Sequence, residues 1–66
     1  MEYSNSQITE IIKEYLHSET EQEVMILRLT KMRTQEQIAE ALDISVSTVK
    51  RIIRRCSAVI FKHFPE

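Results

Sequence analysis

The chain has no glycine, and its one proline, Pro65, stands next to the last residue. Hairpins and sandwiches depend on turns with positive φ, and glycine is the residue that takes them at least cost. Helices have no such need. The composition therefore predicts an all-α fold. Sixty-six residues make a single small domain, expected to span 1–66. A chain of this length buries only about 60% of its unfolded surface. That leaves little room for a deep substrate cleft, and the fold must rest on one well-packed core.

Periodicity and capping residues place four helices. Ser4 and Gln7 form a capping box. Ile8, Ile11, Ile12, Tyr15 and Leu16 follow at helical spacing, which predicts a helix over about 5–17. Thr20 with Glu23 reads as a second capping box. The run Val24, Met25, Ile26, Leu27 and Leu29, with Met32 near its end, is apolar nearly all round and predicts the central, most buried helix. Thr34 with Gln37 is a third box, opening a short helix over about 35–42 whose inner face is Ile38, Ala39 and Leu42. Asp43–Ile44–Ser45 interrupts the pattern. Ser45 is placed to cap a last helix by accepting from the amide of Ser47 or Thr48. Val49, Ile52, Ile53, Cys56 and Ile60 carry its stripe to about His63.

Residues 35–54 then read as a short helix, a tight turn and a second helix crossing it steeply. The small residue needed where the helices touch is Ala39. Apolar anchors stand on both sides, Ile38, Leu42, Ile44, Val49 and Ile52. The outer face of the second helix carries Ser47, Lys50, Arg51 and Arg54. This is the sequence logic of a helix-turn-helix, whose second helix lies in the DNA major groove. Its core covers about 34–55, with 56–64 extending the recognition helix.

The stretch QEQIAEALDISVSTVKRIIRR resembles the helix-turn-helix of sigma-factor region 4 and of the related LuxR-type regulators, including small phage or plasmid regulators. The likeness extends upstream through EQEVMILRLTKMRT and covers about residues 20–56. It implies a bacterial or phage-encoded, cytoplasmic protein that binds double-stranded promoter DNA, with RNA polymerase or another regulator as a further partner. Nothing in the chain resembles the rest of a sigma factor, a receiver domain or a ligand-sensing domain. The sequence departs from the pattern twice. Asp43 holds the turn position usually taken by glycine, and Met32 stands at another position where glycine is usual. Asp tolerates a left-handed backbone better than most residues.

Within the recognition helix, Val46, Ser47 and Lys50 are expected at base edges. Arg51 and Arg54 reach either guanine or phosphate. Ser45 and Thr48 are candidates for a phosphate, as are Thr34 and Gln35 at the start of the preceding helix, flanked by Lys31 and Arg33. Arg55 is either a DNA contact or an offset to the acidic first helix. A plainly solvated face remains the alternative for all four cations of this helix, and Ser45 is a cap before it is a ligand. The formal charge of −1 is low for a DNA-binding domain, but it is segregated. Residues 1–23 carry six acids against Lys13, a net of −5, residues 24–45 balance, and residues 46–66 carry a net of +4.

Other chemistry finds no support. No nucleophile–base set or phosphate-cradling glycine loop is present, so no enzymatic activity is expected, and no cofactor. His17 and His63 have no partners at metal spacing. A single cysteine excludes an intrachain disulfide and a cysteine-based zinc site; Cys56 falls on the apolar stripe and reads as packing. No apolar run is long enough for a membrane span. Val59, Ile60, Phe61 and Phe64 spread over more than one helix face. They either complete the core or form an interface with a second copy, because LuxR-type domains commonly dimerise through a last helix. Two readings of function follow: a sequence-specific transcription regulator that inserts the helix starting at Val46 into the major groove, or a protein-interaction module of the same fold that binds RNA polymerase, a sigma factor or another regulator with little DNA affinity.

Overall fold

The computed structural model describes residues 3–64. Glu2 and Glu66, counted in the charge blocks above, lie outside them. Four α-helices follow one another, α1 (Asn5–Tyr15), α2 (Glu19–Leu29), α3 (Gln35–Leu42) and α4 (Val46–Ile60), and a 3-10 turn over Phe61–His63 follows α4. The all-α expectation holds.

Each helix starts where a side chain satisfies its free amides. Ser4 Oγ accepts from the Gln7 amide at 3.1 Å while Ser4 N–H donates to Gln7 Oε1 at 2.9 Å. Thr34 and Gln37 repeat the pattern with the same two distances. The second box, expected at Thr20 and Glu23, is not the one used. Ser18 caps α2, accepting from the Glu21 amide. Starting there puts Glu19 and Glu21 in the first turn, where negative charge meets the positive end of the helix dipole. The same choice shortens α1, which stops at Tyr15 rather than near 17. Leu16 turns extended, buries its side chain, and its carbonyl accepts from Gln22 Nε2 at 2.6 Å.

The four helices share one core of Ile12, Leu16, Val24, Met25, Ile38, Ala39, Val49, Ile52, Cys56 and Ile60. Helix α2 packs against each of the other three and is central as expected. It is not the most buried. Only Val24 and Met25 are fully covered, with Ile26, Leu27 and Leu29 half-buried, whereas α4 supplies Val49, Ile52, Cys56 and Ile60. Burial pushes the Cys56 thiol up, opposed by the Arg55 guanidinium beside it, so the thiolate form that reacts is disfavoured.

Helix α4 ends at Ile60, short of His63, tightening into the 3-10 turn. Of the two readings given for Ile60, the structure takes the first: it completes the core. It continues the i, i+3, i+7, i+11 row from Val49 and is 0% exposed. The 3-10 turn folds the tail back on α1. His63 stacks on Tyr15 with ring centres 3.6 Å apart, and Phe64 meets both Tyr3 at 5.0 Å and Phe61 at 5.3 Å. Phe64 is thereby half-buried, and Val59 and Phe61 remain exposed.

Two residues adopt the left-handed backbone, Met32 at φ 57° and Asp43 at φ 56°. They are the two positions at which the sequence departs from the glycine of the pattern it resembles. Such a backbone costs an ordinary L-residue roughly 1–2 kcal/mol. Glycine removes that cost and adds about 0.5–1 kcal/mol of unfolded-state entropy. Met32 is 81% exposed, so its side chain contributes little packing in return.

Met32→Gly is expected to raise the melting temperature by roughly 2–8 °C, and Asp43→Gly by less, because Asp tolerates the conformation; an unchanged or lower value for Met32→Gly would contradict the strain argument. Ile60→Ala is expected to cost about 2–5 kcal/mol, against less than about 1 kcal/mol for Phe61→Ala at the surface. Urea unfolding of both variants separates core from rim, and equal losses would put Ile60 back at the surface.

Candidate nucleic-acid interface

The candidate site is built by the turn between α3 and α4. Asp43 N–H donates to Glu40 O at 3.4 Å and Ile44 N–H to Ala39 O at 3.0 Å. This pair of bonds closes a helix through a left-handed residue, and it sends the chain off sharply. Ile44 packs on the core as the chain leaves the turn. Ser45 then caps α4. Its hydroxyl accepts from the Thr48 amide at 3.1 Å and lies 2.8 Å from Thr48 Oγ1 and 3.2 Å from Ser47 Oγ. The expected alternatives for the cap resolve to Thr48.

Burial of Val49, Ile52, Cys56 and Ile60 fixes the rotation of α4 about its axis. The face opposite that row is exposed and carries Ser47, Lys50, Arg51 and Arg54, which line one open depression. These are the residues expected on the outer face. Val46 and Thr48 are different: both are half-buried, and Val46 packs against the core. Thr34 is exposed, with its hydroxyl engaged at the start of α3, and Gln35 behind it is half-buried. Lys31 and Arg33 are exposed on the loop leading into α3. That loop is held by Arg33 N–H donating to Leu27 O at 3.1 Å and by Arg28 Nη1 donating to Arg33 O at 3.2 Å.

Arg55 stands apart from the other cations. Its guanidinium pairs with the Glu21 carboxylate of α2. It lines a separate depression with Tyr15, His17, Ser18 and Glu21. The offset expected from the acidic first helix is corrected: Arg55 pairs with α2 instead; the pair joins residues distant in the chain, and no local spacing marks it.

Among the described residues no three His, Cys, Asp or Glu side chains converge as a metal site would require. No helix among them is long and apolar enough to cross a membrane.

A short helix, a tight left-handed turn and a second helix with an uncovered polar face define a helix-turn-helix domain of the DNA-binding type. The family model for sigma-70, region 4, matches residues 18–60, and the chain belongs to that family. The match covers α2, α3 and α4. Comparison with curated proteins and with solved structures gives no match.

The Ser45 cap sets where α4 begins, and with it the position of the exposed face. Ser45→Ala is expected to cost about 1 kcal/mol, read from thermal unfolding, while Ser45→Asp retains most of the stability. Equal losses in the two variants would show that the cap bond is not what holds the turn.

Proposed function

We propose that the protein is a sequence-specific DNA-binding transcription regulator that lays α4, from Val46 onward, in the major groove. One observation carries the reading. Ser47, Lys50, Arg51 and Arg54 share one exposed polar face of α4, opposite its buried row. An α-helix fits the major groove, and the side chains near its N-terminus reach base edges. In this reading Ser47 and Lys50 read bases, with Val46 offering an apolar edge, and Arg51 and Arg54 take guanine or phosphate. The start of α3, with Thr34 and Gln35, meets the backbone across the groove, as do Ser45 and Thr48 through the α4 N-terminus. Lys31 and Arg33 add positive charge on that side. Arg55 is left out of the set because Glu21 holds it.

A second reading is favoured by Val59 and Phe61, large apolar side chains left exposed near the end of α4. Exposed apolar surface marks contact sites. In that reading the domain docks on a partner protein, such as RNA polymerase or another regulator, or on a second copy of itself.

Retention on a pool of fragmented genomic DNA at several salt concentrations decides between them. Wild type is expected to enrich one site, with affinity falling steeply as salt rises. The double variant Arg51→Ala, Arg54→Ala is expected to lose that binding while keeping its helix content. Unchanged binding in the variant would defeat the groove geometry, and no retention of wild type at low salt would move the assignment to the protein-docking reading.

A further inference from the structure

We propose that Glu21 is a positioning residue that withholds Arg55 from the DNA backbone and so limits how strongly the domain grips any duplex. The inference rests on α4 entering the groove. It concerns a residue of another helix that touches no DNA itself.

The geometry of α4 makes Arg55 a latent contact. It follows Arg51 by one turn, so on a helix of 3.6 residues per turn the two lie about 40° apart. Arg51 is on the open face with Ser47, Lys50 and Arg54. An arginine on that flank has the reach to touch a phosphate at the groove wall. Its guanidinium is instead paired with Glu21. The two ends of the pair differ. The Arg55 side chain is 67% exposed and that of Glu21 only 18%. The carboxylate is thus the fixed end, set in the first turn of α2. The guanidinium is the end that solvent, and a phosphate, can approach. Among the described residues Arg55 is the one cation of α4 held in an ion pair.

The consequence is measurable because phosphate contacts carry a fixed signature. Each phosphate neutralised releases condensed counterions and steepens the dependence of log K on log salt by about 0.9. With Arg55 held by Glu21, its share of that slope is absent. Glu21→Gln removes the partner's charge and keeps its shape, so Arg55 becomes free to swing to the backbone.

The test is the salt dependence of binding to a mixed-sequence duplex, measured by fluorescence anisotropy with the full chain. Arg55→Ala in the wild-type background is expected to leave the slope unchanged. Glu21→Gln is expected to steepen it by about 0.9, and Glu21→Gln with Arg55→Ala to return it to the wild-type value. Glu14→Gln, on the exposed side of α1, makes the same change in net charge and is expected to shift it far less. A wild-type slope lowered by Arg55→Ala would show that Arg55 already contacts DNA, and would overturn the proposal. So would a Glu21→Gln slope equal to that of Glu14→Gln. Circular dichroism confirms that each variant is folded; if Glu21→Gln unfolds, the Arg55→Ala slope alone decides. If Arg51→Ala, Arg54→Ala abolishes binding while these slopes fail, the groove reading stands and only the role of Glu21 falls. If wild type binds no duplex at low salt, both fall together.

Discussion

The row Val49, Ile52, Cys56 and Ile60 is the contact on which the rest of the structure depends. It buries one side of α4 against α1, α2 and α3 and fixes the rotation of that helix. Each such side chain contributes roughly 1.5–3 kcal/mol when fully covered, a large fraction of what a chain of this size can muster in total. A turn of α4 by one residue would carry Cys56 toward solvent and Arg55 toward the core. The burial of an unpaired guanidinium forbids that. Core packing and the presentation of Ser47, Lys50, Arg51 and Arg54 are therefore one constraint. No separate device is needed to aim the outer face.

The fold makes two sharp reversals without a glycine. Met32 and Asp43 sit in left-handed backbone, and their surroundings absorb the cost. At Asp43 two carbonyls of α3 are satisfied and Ile44 is delivered to the core. At Met32 the compensation lies beyond the residue itself, in the Arg33 and Arg28 bonds that close the loop. The α3–α4 turn thus gains packing from its strained residue, whereas the α2–α3 loop relies on hydrogen bonds alone. The second is the weaker arrangement, so glycine relieves more cost at Met32 than at Asp43.

Most of this architecture was legible because its signals are local. Capping boxes at Ser4 and Thr34, the cap at Ser45 and the stripe on α4 involve residues three or four apart, and each was found where expected. The two positions where the sequence departs from the glycine of the resembled pattern, Met32 and Asp43, are both left-handed. What could not be read is non-local or degenerate. Ser18 and Thr20 are chemically equivalent caps, and the choice turned on Leu16 needing the core and Gln22 meeting its carbonyl. Ile60 and Phe61 are neighbours of similar hydropathy; only the completed packing of α4 against the other helices sends one inward and leaves the other at the rim. The pairing of Arg55 with Glu21 belongs to the same class, since it exists only once α2 and α4 lie side by side.

The net charge of −1 is compatible with an electropositive working face because charges in water act over short distances. At physiological salt the screening length is about 8 Å. Helix α1 turns Ile12 and Leu16 inward and leaves Glu10 and Glu14 in solvent, while α4 turns its own row inward and leaves Lys50, Arg51 and Arg54 in solvent. Each set points away from the shared core. An acid on the outer side of α1 is then a poor offset for a cation on the outer side of α4, and the composition total understates the local field. Glu21 is the exception, because the first turn of α2 reaches Arg55. Glu21 stands at that contact, beside the cation that flanks the open face, whereas Glu10 and Glu14 stand on the outer side of α1; position, and not the sum, sets the field at the outer face of α4.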